Sequence, residues 1–213
     1  MIEAYALYSG SSGNAYLLRC GKTSVLVDAG RSAAALCRSL RAAGVEPESV
    51  SAVLVTHEHR DNVSALRVFS GKYHTPIIGA APVLAAVCEN DGMRSAAKAL
   101  VPGREFSIGE IAVCGCAAPH DSSANMCYRF RSAGGESFAV ATDMGEVTNE
   151  CEEFLMGVTC AVIEANHDSE MLRLGPYPPG LKARIASRYG HLSNTQCASL
   201  AAGLAASGTG GFV

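Results

Sequence analysis

Two imidazoles and a carboxylate at alternate positions, His57, His59 and Asp61, follow directly on the apolar run Ala52-Val53-Leu54-Val55. In extended backbone, residues two apart project to the same side, so the three side chains can converge on one point. The two rings could supply nitrogens at about 2.0–2.1 Å to a borderline-soft cation such as zinc, with an Asp61 oxygen nearby. A solvated polar loop is the plainer reading. Against it, the chain has six histidines in all and two of them fall within this short stretch. Two later strand ends offer more ligands: Pro119-His120-Asp121 after residues 111–118, and Thr142-Asp143-Met144-Gly145 after residues 138–141. A lone His or Asp at a strand end is usually a turn residue or a helix cap. The repeated strand-then-ligand order raises the metal reading, with His57, His59, His120 and Asp143 around a first cation and Asp143 bridging to a second. The chemistry is then hydrolysis: such a cation lowers the pKa of water and polarises a phosphoryl or acyl oxygen. Asp61 or Asp143 would orient the attacking hydroxide.

These residues need strands to deliver them. Thr23-Ser24-Val25-Leu26-Val27, Ala52-Val53-Leu54-Val55 and Phe138-Ala139-Val140-Ala141 each read as a buried strand ending in a polar or glycine-containing turn. Between them, residues 32–43, 62–70, 81–90, 146–156 and 194–206 are rich in Ala and Leu and are expected to be helical. Strands early and late with helices interspersed predict sheets covered by helices, a layered α/β architecture. Ser9-Gly10-Ser11-Ser12-Gly13-Asn14 reads as a tight connection between two early strands and not as a phosphate loop, because no Lys-Ser/Thr pair and no helix follow it. Pro176-Tyr177-Pro178-Pro179 reads as a short loop.

At 213 residues and 48% hydrophobic, the chain can bury one large core, and residues 1–213 are expected to form a single domain. With 17 Lys and Arg against 20 Asp and Glu, no global positive field marks nucleic acid or anionic membrane as a partner, so any phosphate-binding surface must be local. Lys182, Arg184 and Arg188 form the most concentrated basic stretch. They could hold phosphates, and a solvated helix face explains them equally well. Nine scattered cysteines with no C-x-x-C predict reduced, buried thiols in a cytoplasmic protein. No leader and no run of about 18 apolar residues are found, so no membrane association is expected.

The order of His57, His59, Asp61, His120 and Asp143 resembles the H-x-H-x-D-H signature, later His and later bridging Asp of the metallo-β-lactamase superfamily. Asp28, closing Leu26-Val27-Asp28-Ala29-Gly30, looks like that family's supporting Asp. Ser9-Gly10-Ser11-Ser12-Gly13-Asn14, Glu164-Ala165-Asn166-His167-Asp168, Met171-Leu172, Gly175-Pro176-Tyr177-Pro178 and the stretch from Leu181 to Gly190-His191-Leu192-Ser193-Asn194 narrow the resemblance to the YycJ/WalJ subfamily. It implies a four-layer αββα sandwich, one or two divalent ions (zinc, manganese or iron), and phosphodiesterase or DNA exonuclease activity on a nucleic acid substrate. By resemblance to related tRNA-processing enzymes, His167 with Glu164, and His191, are candidates for proton transfer to the leaving group. His191 also has a simpler reading, since Gly-His-Leu-Ser-Asn precedes a helix and could be its N-terminal cap.

Two departures fall on the second metal. The signature ends Asp-His where this chain has Asp61-Asn62, and a neutral amide is a poor ligand for a zinc-like ion. The family's further strand, which brings another ligating His, is expected to be missing, leaving His191 as the substitute. The second site is therefore expected to be weak or empty, and the sheet edge to be exposed unless a second copy covers it. Alternative readings are a glyoxalase-type thioester hydrolase with the same ligand set, and a catalytically impaired metal- or nucleic-acid-binding remnant.

Overall fold

A computed structural model describes residues 1–213. Six strands laid side by side in chain order make the first sheet: β1 (Ile2–Tyr8), β2 (Ala15–Cys20), β3 (Thr23–Val27), β4 (Val50–Val55), β5 (Ile77–Gly79) and β6 (Ala97–Ala99). The first three are antiparallel, and β3 through β6 are parallel, joined through helices α1 (Ala33–Ala42), α2 (Arg60–Val63), α3 (Leu66–Tyr73), α4 (Ala81–Val87) and α5 (Asp91–Ala96). The second sheet holds β7 (Phe106–Ile108), β8 (Ile111–Ala117), β9 (Met126–Ser132), β10 (Ser137–Ala141), β11 (Cys160–Ile163) and β12 (Gly211–Phe212), again in chain order. Helices α6 (Asn149–Leu155), α7 (Ser169–Leu174), α8 (Pro179–Ile185) and α9 (Asn194–Ala206) complete this half.

The alternation of β10 shows how the layers stack. Phe138 and Val140 join Val25, Leu54 and Tyr128 in the core between the sheets. Ala139 and Ala141 face the other way, against Leu155 of α6 and Leu200 and Leu204 of α9. Successive strand residues point to opposite faces, and small side chains on the outer face let helices approach closely. β3 is buried along its whole length, so its apolar run is continuous, as expected for a strand covered on both faces. The nine cysteines are all free, and no helix is long and apolar enough to cross a membrane.

Three local details differ from the sequence reading. The helix expected over 62–70 splits into α2 and α3, because Ala65 donates its N–H to the Ala29 carbonyl instead of extending the first turn. Helices α7 and α8 bury no residue, so they carry no core-facing periodicity that would mark them; Asp168 caps the first and Pro179 opens the second. At the end of the chain a two-residue strand, β12, does form and pairs in parallel with β11.

Candidate metal centre

The site assembles where strands of both sheets end. β3 ends in Asp28 and β10 leads to Asp143, and both aspartates adopt left-handed backbone, φ 62° and 56°. Asp tolerates that region better than most residues, which lets the chain turn sharply at the strand end. Asp28 is fully buried. Its Oδ1 accepts the Thr56 backbone N–H at 2.8 Å, and its Oδ2 accepts the Thr56 hydroxyl at 2.9 Å and the Asn62 amide at 2.8 Å. Burial pushes Asp28 up to about 7 against these three donors.

Since the Thr56 hydroxyl proton goes to Asp28, the contact at 2.9 Å between Thr56 Oγ1 and His57 Nδ1 requires the ring to donate. His59 Nε2 lies 3.2 Å from the Asp121 carbonyl and His120 Nδ1 lies 3.0 Å from the Gly190 carbonyl. A carbonyl only accepts, so those nitrogens carry the protons. What remains on the three rings is a lone pair each, on His57 Nε2, His59 Nδ1 and His120 Nε2.

These lone pairs face one another. The ligand atoms of His57, His59 and His120 all lie within 4.8 Å of each other, and His59 Nδ1 is 3.4 Å from His120 Nε2. Two nitrogens held about 2.05 Å from a tetrahedral ion stand roughly 3.3 Å apart. His57 Nε2 is buried without any hydrogen-bond partner. Burial, with the neighbouring rings, pushes His57 down to about 2 and lowers His120, so both are neutral, the form a metal requires. Three convergent unprotonated nitrogens repel unless a cation sits between them, so the residues fit a divalent metal.

A second group shares His120. Its ligand atoms come from His120, Asp143 and His191. Asp143, expected to complete the first set and to bridge to a second, has its ligand oxygen within 4.8 Å of those of His120 and His191. Asp61 is in neither group; it lines the adjoining cavity, and Asn14 Nδ2 reaches its carboxylate at 3.5 Å. Burial first, then the Glu164 charge, pushes Asp143 up to about 7. Glu164 was expected to work with His167. It instead accepts the His191 Nδ1–H at 2.7 Å, while its other oxygen accepts the Met144 backbone N–H at 3.1 Å. Burial pulls His191 down, but its bond to Glu164 and the charges of Glu164 and Asp143 leave it raised overall. His167 Nδ1 is buried with no hydrogen-bond partner. The cap of α9 is Ser193, paired with Gln196 in a capping box, so His191 is left free of that task.

Asn62 lies beside Asp143, whose carboxyl pKa its amide helps to hold down, and it is tied to its neighbours. Its amide N–H groups go to Asp28 and Thr56, and its carbonyl accepts from Asn14 Nδ2 at 3.2 Å. Asn14 comes from the Ser9–Asn14 loop, which therefore does more than connect two strands. Gly30 lets that loop close: a Cβ there would collide with the Asp61 carbonyl and the Asn14 backbone nitrogen.

The basic stretch does not form one free cluster. Lys182 donates to the Arg173 carbonyl, Arg188 pairs with Glu146 at 3.2 Å, and Arg184 is bonded to Asp121 Oδ2. Asp121 itself was overlooked in the sequence. Its Oδ1 is buried without a hydrogen-bond partner, 3.3 Å from His120 Nε2 and 3.8 Å from His59 Nε2. The one available signal was its adjacency to His120. Asn14 had none beyond its loop motif.

The description of the beta-lactamase superfamily domain matches residues 23–209, and the chain belongs to that superfamily of metal-dependent hydrolases. Exodeoxyribonuclease WalJ of Streptococcus pneumoniae is 36% identical over 193 residues, covering 88% of this chain and 71% of that protein. Exodeoxyribonuclease YycJ of Bacillus anthracis is 34% identical over 194 residues, covering 90% and 73%. The chain is thus a WalJ/YycJ-like member. Among solved structures, the metallo-beta-lactamase fold protein YhfI from Bacillus subtilis superposes with a TM-score of 0.75 at 16% identity, over 100% of this chain and 85% of that one. At that identity the likeness speaks for the fold alone.

Proposed function

We propose that this protein hydrolyses phosphodiester bonds at the end of a DNA strand, using a divalent cation held by His57, His59 and His120. The carrying observation is the convergence of three unprotonated imidazole nitrogens, one of them buried with no other partner. The DNA substrate class is suggested by the exodeoxyribonuclease relatives. A cation there would supply Lewis-acid activation of water and of the scissile phosphoryl oxygen. Zinc, manganese and iron all suit the donor set.

The chain's own residues divide the remaining work. Thr56, Asp28, and the Asp121 and Gly190 carbonyls fix the ring tautomers, so that lone pairs and not N–H groups face inward. Asp143, with Asp61 beside the same cavity, orients the attacking water. His191 keeps its Nδ1 proton on Glu164, and in its doubly protonated form, favoured by the neighbouring carboxylates, its Nε2–H would pass to the leaving oxygen; an ion at Asp143 and His191 would take that nitrogen instead. Arg184, tied to Asp121 at the edge of the imidazole group, is the cation of the basic stretch best placed for a phosphate. A second ion at Asp143 and His191 binds more weakly, because Asn62 is committed elsewhere.

The test is to reconstitute the protein with zinc or manganese and offer linear DNA, a generic phosphodiester and a thioester, with His59→Ala as control. DNA hydrolysis that disappears in the variant supports the proposal. Thioester turnover alone, or bound metal with no turnover of any substrate, refutes it.

A further inference from the structure

Beside Asp143 and His191 of the second ligand group lies a cavity of about 610 Å³, within the range that holds one small ligand. Its walls differ. Asp61, Asp143, Glu164 and His191 give it ionisable groups, whereas Ser9, Gly10 and Ala6 give it neutral ones. Tyr177, in the connection between α7 and α8, lines the same cavity and is 53% exposed. Pro176 and Pro178 flank it, and each proline fixes its own φ and restricts the residue before it. An aromatic ring on such a stiff segment offers a flat apolar face at little further cost in conformational entropy.

Much of the amide capacity in the lining is spent within the protein, while the Thr142 hydroxyl there is buried without a partner. Asn14 accepts the Gly10 N–H and donates to Asn62, and Asn166 donates one N–H to Glu164 at 3.1 Å. An aromatic face suits stacking, which tolerates any base because each presents a π-face.

We propose that Tyr177 is a positioning residue that stacks on the base of the nucleotide adjoining the scissile phosphate, indifferent to which base it is. This rests on the DNA-hydrolase reading above for its substrate. Phosphate and charge belong at the carboxylate and histidine side, where cations can offset them. The base, neutral and flat, occupies the part lined by Tyr177.

The experiment has two arms. In the first, metal-reconstituted protein cleaves oligonucleotides ending in each of the four bases or in an abasic tetrahydrofuran residue. Tyr177→Ala is expected to raise KM about tenfold for every base, the size of one base–aromatic stack, with kcat changed less. Tyr177→Phe restores KM, and the abasic end is insensitive to either change. In the second arm, metal-free protein is mixed with a strand ending in 2-aminopurine, whose fluorescence is quenched on stacking. Quenching by the wild type that Tyr177→Ala removes supports the inference even if no DNA is cleaved, in which case the nuclease reading alone falls. An unchanged KM in Tyr177→Ala, an equal loss on the abasic end, or quenching that survives the substitution overturns it.

Discussion

Replacing Thr56 by Val tests whether the metal centre is braced from behind. The hydroxyl makes one donated and two accepted contacts, to Asp28 Oδ2 and from His57 Nδ1 and Asn62, in a residue with no exposure. Valine keeps the shape and removes all three. Asp28 would lose a charge-assisted bond, which typically contributes about 1.5–3 kcal/mol, and the His57 N–H would be left buried and unpaired, costing about 1–3 kcal/mol. The expected destabilisation is about 3–5 kcal/mol. For a domain of this size that is roughly 6–20 °C in melting temperature. Freed from its partner, His57 can also adopt the tautomer that points a proton at the metal position, so metal affinity should fall about 10–100-fold. Thermal melts of the metal-free protein and a chelator competition for zinc measure the two effects separately, and Thr56→Ser, which keeps the hydroxyl, should recover both. If Thr56→Val melts within about 1 kcal/mol of wild type and holds zinc as tightly, the chain from Asp28 to His57 is not what orients the ring.

Three further outcomes follow from the same geometry. Removing metal should lower the melting point: an ion present at a hundredfold excess over its dissociation constant stabilises by about 2.7 kcal/mol, so melts with and without chelator must differ by several degrees. Glu164→Gln removes the charge that holds the His191 proton, so an NMR titration should show the His191 midpoint falling. Because that folded pKa is raised, the pair's contribution to stability is fully present below the unfolded histidine value near 6.5 and is lost as pH rises through the folded one; in Glu164→Gln this dependence should flatten. Gly30→Ala drives a methyl into the Asp61 carbonyl and the Asn14 nitrogen, and a loss of about 1–3 kcal/mol is expected in urea unfolding, whereas Gly180→Ala, with open space around it, should be neutral.

The parts of this structure that were legible in the sequence share a physical cause. β3, β4 and β10 are covered on both faces or nearly so, which writes them as unbroken apolar runs, and the polar residue that ends each run is placed at the strand's end by default. His57, His59, His120 and Asp143 were picked out as candidates that way. The contacts between loops were not legible, because nothing in spacing tells which strand ends face each other. Asn14 meets Asn62 across 48 positions, and His191 meets Glu164 across 27. The pairing of Glu164 with His191 and not His167 depends on the chain path from β11 to α9, most of which runs through two exposed helices without a periodic signature. Asp121 was hidden for a different reason: its role comes from a carboxylate pinned by Arg184, a residue 63 positions away.

Asn62 shows why a missing ligand is not simply damage. Counted as a metal donor, it is a loss, since an imidazole at this position could have turned one nitrogen to an ion. Yet a neutral imidazole has one donor and one acceptor, and spending the acceptor on a metal leaves nothing for Asn14. The amide has two donor hydrogens and an acceptor oxygen, and the structure uses all of these on Asp28, Thr56 and Asn14. Those are the groups that hold the Ser9–Asn14 loop over the site and the His57 tautomer beneath it. An amide here therefore supports the first ligand group through Thr56 and Asp28, while beside Asp143 it offers the second group no imidazole nitrogen.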